Sequence, residues 1–407
     1  MSLPDANQPL HSSNAAAIAS ALWDSADFAG AAEQYERALR ESPGDMEALH
    51  GLGRLRLAQN DLAAALLLLE QAEQVALALS GSNHQQEWVQ RIRQELAWAL
   101  YRLDRFDLAA QYFDVLPGQE ALSAQLRAFG DRIPYRHPVR LDEIVVPFMG
   151  TDPLPIINLT IAGQEYPFVI DTGSGQMVVD IALAQALSLE EFGTREITLA
   201  TGQRSVVAHT LLPEVMLGEI AIKDVPAEVM DIQRFAPQLA GVIGTSFLQH
   251  FHVLCDFQRQ TLHLYPKIAE SPPTGGMTLV SFLLFDAHLI LAPVQVNEYQ
   301  TMGYLVSGMA GAAFTLAESV RQQIDPALSS ATRQSIGAGG VTAALPMMAA
   351  HLSLGGWSRS DVEGLVGFFP PPLEWRYGFQ VGALIGHEFL RGKRFLMDFE
   401  QMQLGVE

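Results

Sequence analysis

Among the side chains able to do chemistry, one acid stands apart. Asp171 opens the segment Asp171-Thr172-Gly173-Ser174-Gly175, directly after the apolar run Phe168-Val169-Ile170. A carboxyl carried from a strand end into a tight glycine turn can take up or release a proton in a reaction, provided a second group shares the work. The plainer alternative is a carboxylate that only caps a β-loop. Against it stands an ordered set of residues downstream: Gly241-Val242-Ile243-Gly244, then Phe247-Leu248, Phe251, Asp256-Phe257 and the alternating run Thr261-Leu262-His263-Leu264.

Other chemistry finds little support. Gly337-Ala338-Gly339-Gly340 lacks the Lys-Ser/Thr of a phosphate loop and reads as hairpin backbone. His387-Glu388 has no second His four residues on and reads as a surface pair, while His250 and His252 flank Phe251 and read as strand or turn residues. No Gly-x-Ser-x-Gly elbow occurs. Cys255 is the single cysteine, so it can form neither an internal disulfide nor a cysteine-rich zinc site, and it reads as a small core hydrophobe. No metal and no cofactor are expected.

The downstream block occurs twice. Gly244 is followed by Phe247-Leu248, Asp256-Phe257 and Leu262, and Gly386 is followed at the same offsets by Phe389-Leu390, Asp398-Phe399 and Leu404. Upstream, Leu217-Gly218 answers Leu354-Gly355, and Ala200-Thr201-Gly202 answers Gly337-Ala338-Gly339. An apolar strand into Asp-Thr-Gly-Ser, followed some 70 residues later by apolar-apolar-Gly and an Asp-Phe strand, resembles the aspartic peptidases of the retropepsin and pepsin type. The resemblance implies two lobes, 138–267 and 275–407, whose Asp-Thr-Gly loops meet across a pseudo-twofold axis. In that family two carboxylates share one proton and one water, because like charges so close cannot both ionise.

Carried onto this chain, the resemblance makes Asp171 the first catalytic carboxylate, with Thr172, Gly173 and Ser174 supporting it. The hairpins at Thr201-Gly202 and Ala338-Gly339 become flap positions that bind substrate. Placing Tyr304-Leu305-Val306-Ser307-Gly308 on Val169-Ile170-Asp171-Thr172-Gly173 sets Ser307 for Thr172 and Gly308 for Gly173, but Val306 where the second Asp belongs. Val306 carries no charge and no proton. The expected protein holds an extended polypeptide in a bilobal cleft as an added strand, with hydrolysis weak or absent. Two alternatives stay open: an active aspartic endopeptidase, for which a homodimer could pair two copies of Asp171, and a scaffold acting through the N-terminal region. Against the homodimer, a tethered second lobe competes at an effective concentration on the order of millimolar.

These loops need elements to hold them, and from about Pro138 the sequence supplies short alternating apolar runs rich in Pro, Gly and β-branched residues. Residues 155–171 read as two strands joined at Ala162-Gly163-Gln164. Before that boundary the texture is helical and repeats. Phe28, Ala31, Tyr35 and Ala38 return 34 residues later as Leu62, Ala65, Leu69 and Ala72, and Phe106, Ala109, Phe113 and Leu116 form a third, delayed copy. This period resembles a tetratricopeptide repeat, so residues 12–130 are expected to be an all-α helical array that binds a protein partner. The expected chain is thus an array followed by a mainly-β bilobal module.

A chain of 407 residues with 49% hydrophobic and 17% charged residues has ample material for several folded cores. Its 45 acids against 25 Lys and Arg give a net charge of −20, which repels phosphate backbones and anionic headgroups, so neither nucleic acid nor membrane is an expected partner. The apolar runs Leu62–Leu69 and Leu279–Pro293 fail as membrane spans, the first by length and the second by Asp286 and His288. The first residues lack a basic stretch followed by an apolar one, and the expected address is cytoplasmic.

Overall fold

The computed structural model describes residues 13–79, 83–138, 143–199, 204–267, 274–324, 327–328, 333–337, 340–367 and 369–407. Two compact units emerge: one ends at Arg127 and also takes in Trp375–Gln380, and the other comprises Ala128–Glu374 with Val381–Glu407. Among the described residues no helix is long and apolar enough to cross a membrane.

The first unit is built of α1 (Asn14–Asp24), α2 (Phe28–Glu41), α3 (Met46–Ala58), α4 (Leu62–Ala78), α5 (Asn83–Arg102), α6 (Phe106–Phe113) and α7 (Glu120–Ala128). The turns inside the pairs α1/α2, α3/α4 and α5/α6 are copies of one another. Ala26, Asn60 and Asp104 adopt left-handed φ values of 60°, 59° and 58°. The next residue in each turn, Asp27, Asp61 or Arg105, donates its N–H back to the carbonyl of Leu22, Arg56 or Leu100 at 2.9 Å. Such a closure satisfies carbonyls that a helix end leaves bare and reverses the chain within the three residues between the helices. Asp27 and Asp61 then cap the following helix by accepting from the N–H of Gly30 and Ala64.

The repeated positions of the sequence form the seam of this unit: Ala31, Tyr35 and Ala38, then Ala65, Leu69 and Ala72, then Ala109 and Phe113 are all buried. Close approach is permitted by glycine in the partner helix, since a methyl group at Gly51 would strike the Tyr35 ring and one at Gly53 would meet Leu69 at 2.9 Å. The delay of the third copy has a plain cause. The helix α4 continues to Ala78 and α5 runs for 20 residues, so the second and third pairs are spaced further along the chain.

The second unit opens with β1 (Ile144–Pro147). Its first lobe holds β2 (Ile156–Ile161), β3 (Gln164–Ile170), β4 (Met177–Asp180), β5 (Glu191–Thr198), β6 (Arg204–Leu217), β7 (Ile220–Met230) and β8 (Gly241–Ile243), followed by β9 (Phe251–Asp256) and β10 (Thr261–Pro266). The second lobe follows β11 (Thr278–Ser281) and holds β12 (Leu283–Phe285), β13 (Leu289–Val296), β14 (Tyr299–Val306), β15 (Phe314–Leu316), β16 (Ala327–Leu328), β17 (Arg333–Gly337), β18 (Gly340–Leu354), β19 (Trp357–Val366) and β20 (Val381–Gly386), then β21 (Arg394–Asp398) and β22 (Gln403–Val406).

The two lobes repeat one topology. The first sheet runs β2-β3-β8-β4-β7-β6-β5 and the second β12-β13-β14-β20-β15-β19-β18-β16, so β13, β14, β20, β15, β19 and β18 stand in the order of β2, β3, β8, β4, β7 and β6. Each closes on itself by one extra pairing, β2 with β6 and β13 with β18. A third sheet, β1-β10-β9-β21-β22-β11, takes three strands from each side of the duplication and pairs β9 with β21 at its centre. Asp256 and Asp398 end those central strands and do the same work, each accepting from two backbone N–H groups of the turn that follows. The duplicated spacing therefore corresponds to a duplicated fold.

Candidate active site

Asp171 follows directly on β3 and Val306 ends β14, each strand running beside a partner, β8 or β20, in parallel register. The two loops lock onto each other through hydroxyls. Thr172 Oγ1 donates to the Leu305 carbonyl at 2.8 Å and accepts from the Ser307 N–H at 3.0 Å. Ser307 Oγ returns the pattern, donating to the Ile170 carbonyl at 2.9 Å and accepting from the Thr172 N–H at 2.9 Å. Both hydroxyls are buried, so every one of these bonds answers a group that water cannot reach.

The same pseudo-twofold relation fixes what lies opposite Asp171. A methyl group at Gly308 would strike the Asp171 carboxyl, and one at Gly173 would meet Val306 Cγ1 at 2.6 Å. Each glycine is thus packed against the other lobe's residue two places before its glycine, Asp171 on one side and Val306 on the other. Asp171 Oδ1 accepts from the N–H of Gly173 at 2.7 Å and of Gly308 at 2.8 Å. Burial pushes its carboxyl above the ordinary range, and the two N–H bonds pull against that rise. Among the described residues no charged side chain contributes to the balance.

Ser174 braces the turn rather than facing the acid. Its hydroxyl donates to the Gln176 carbonyl at 2.7 Å, and its carbonyl accepts from the Thr245 N–H at 2.9 Å. Gly244 has no room for a side chain, since a methyl group there would overlap the Gln176 carbonyl. Sequence reasoning passed over Tyr304, whose hydroxyl donates to the Gly173 carbonyl at 2.8 Å and so ties the end of β14 to the first loop. Its position two residues before Val306 was visible, but its reach across the axis depends on the second lobe being folded.

A buried apolar cluster packs on the sheet that carries the acid. Register places Val169, Val242 and Val178 in one row across β3, β8 and β4, on the side of the sheet where Asp171 follows Val169 by two residues. Val169 and Val178 join Leu154, Leu199, Val207, Met230, Ile232, Leu239 and, from the second lobe, Ala310 in one buried cluster, against which the partly buried Val242 packs. The flap positions Thr201, Gly202, Ala338 and Gly339 lie outside the described residues.

His387 departs from the surface pair expected for it. It is fully buried, its Nε2 lies 2.5 Å from the Thr151 carbonyl, the Phe257 ring packs against it edge-on, and burial lowers its pKa. It opens a short helix directly after Gly386, and the pair His387-Glu388 by itself does not tell which side of that turn faces inward. Cys255 is buried in β9 and its thiol is pushed up to about 12. Among the described residues no group of three or more His, Cys, Asp or Glu could hold a metal ion.

Residues 157–247 match the family described as aspartyl protease, and residues 16–78 match the tetratricopeptide repeat. Among solved structures, basic 7S globulin from soybean is similar at 11% identity and a TM-score of 0.39, covering 66% of this chain and 95% of its own. The aspartic proteinase from Irpex lacteus is similar at 11% identity and a TM-score of 0.40, over 65% of this chain and 97% of its own. A retropepsin-like aspartic protease from Rickettsia conorii matches at 20% identity and a TM-score of 0.24, covering 31% of this chain and all of its own. Among the curated proteins none matches the sequence. The chain joins helical repeats of tetratricopeptide type to a two-lobed module resembling the aspartic proteases.

Proposed function

We propose that this protein holds extended polypeptide in the cleft of its two-lobed module and cuts it poorly or not at all. The observation that carries this reading is Val306 at the place across the axis from Asp171, in loops tied together by Thr172 and Ser307 within one chain. The shared proton of the family mechanism needs a second acid to hold it, and a valine can neither donate nor accept. What the module keeps is the duplicated two-lobed frame and its interlocked loops, which support the holding of an extended strand without cutting it.

An Asp171/Asp171 homodimer would have to displace the second lobe from Thr172, giving up four hydrogen bonds already made in the single chain. The helical array is the natural seat of a protein partner, in line with its repeat architecture.

The test is proteolysis of an unfolded polypeptide from acid to neutral pH. The unmodified chain should bind it without measurable cleavage. Val306→Asp should begin to cut, and Asp171→Asn in that background should stop the cutting. Cleavage by the unmodified chain that depends on Asp171 would overturn the proposal.

A further inference from the structure

Within the first unit, one short stretch of chain is held the way a receptor holds a peptide. Trp375–Gln380 belongs to this unit although more than 240 residues separate it from Arg127 in sequence. It leaves and rejoins the chain at a closed neck, where the Val381 N–H donates to the Glu374 carbonyl at 2.8 Å. At its tip the Tyr377 carbonyl accepts from Trp23 Nε1 at 2.8 Å and from Arg54 Nη2 at 2.7 Å. Phe379 is 0% exposed, with its ring centroid 5.0 Å from Phe28 and 5.7 Å from Trp23, both edge-on. The Arg54 guanidinium lies 4.3 Å from the Trp23 ring centroid and so completes the floor. Between the two anchors Gly378 takes φ +89°, and a methyl group there would meet Trp23 Nε1 at 3.2 Å.

These are the parts of a recognition site: a buried aromatic anchor in a pocket, a backbone carbonyl read by two fixed donors, and a glycine that lets the turn approach. We propose that Trp23, Phe28 and Arg54 form a receptor for Gly-aromatic turns, and that Tyr377-Gly378-Phe379 is its resident, displaceable ligand. The resident keeps the first repeats closed to outside peptides because a tethered ligand acts at an effective concentration on the order of millimolar. A partner presenting the same turn chemistry gains entry once the resident is weakened.

The experiment uses the full chain and a dye-labelled peptide of residues 371–381, followed by fluorescence anisotropy. Phe379→Ala should bind the peptide at least tenfold more tightly than the unmodified chain, and adding Arg54→Ala should remove that gain. Gly378→Ala, which leaves the aromatic groups in place but cannot hold the turn, should unmask the site in the same way. The proposal is overturned if neither folded variant binds better than the unmodified chain, or if the Arg54→Ala double variant binds as well as the single one. It is equally overturned if both variants fail to fold, since the segment would then be part of the array's core and not a ligand.

Discussion

Asp171 is an acid held in conditions that disfavour its charge, with the backbone N–H groups of Gly173 and Gly308 in its support. Its folded pKa is raised, so the proton is held more tightly in the folded chain than in the unfolded one. Below the unfolded value of about 3.9 both states are protonated and ionisation costs nothing. As pH climbs from there through the folded pKa, the unfolded chain ionises first and stability falls. Asn at this position keeps an oxygen to accept from Gly173 and Gly308 but carries no charge. Asp171→Asn should therefore match the unmodified chain in acid and melt at a higher temperature near neutral pH. A difference in melting temperature that stays constant from pH 3 to pH 7 would show that desolvation of this carboxyl is not the controlling effect. The pairing of Ser307 with Thr172 is legible in the sequence, because the duplication sets one loop against the other across a changed residue type. The roles of Tyr304 and His387 are not, because their partners, the Gly173 carbonyl and the Phe257 ring, come from turns remote in sequence.

At the level of elements, the helical pairs show that a turn can repeat more faithfully than its residues. Ala26, Asn60 and Asp104 share one left-handed conformation, yet only Asn and Asp have short polar side chains suited to it. Alanine there bears a steric cost of about 1–2 kcal/mol, of which glycine would return all but its own entropy loss of roughly 0.5–1 kcal/mol. Ala26→Gly should accordingly raise the stability of the helical unit by about 0.5–1 kcal/mol. Asn60→Gly should change it by less than half as much. Denaturant titration followed at a helical circular dichroism band measures both, and a larger gain at Asn60 would contradict the reading. This turn was hidden in the sequence, since Ala, Asn and Asp share no pattern until the backbone angles are known. The buried register behind it was plain, because 34-residue spacing between small and bulky residues survives any exchange of the exposed ones.

For the molecule as a whole, the duplication was readable from two blocks that align without a gap, and the fold class followed from it. The placing of Trp375–Gln380 among the helices was not readable, because it depends on Tyr377 and Phe379 meeting Trp23 and Phe28, a pairing that no local period announces. The sheet shared by the two halves has a further consequence, one that concerns synthesis. Strand β9 is complete when residue 256 has been made, but its partner β21 begins only at Arg394. Throughout that interval the emerging chain carries a finished first half with a bare strand edge, and with a Thr172 hydroxyl lacking the Leu305 carbonyl it later bonds. The nearest surface shaped to cover that edge is the same edge on another copy. A fragment of residues 138–273 should therefore self-associate as its concentration rises, in sedimentation runs where the full-length protein shows no such trend. A fragment that stays monomeric throughout would mean that the edge is protected in some other way. In the paired fragment two Asp171 side chains would face each other, where the finished chain sets Asp171 across from Val306.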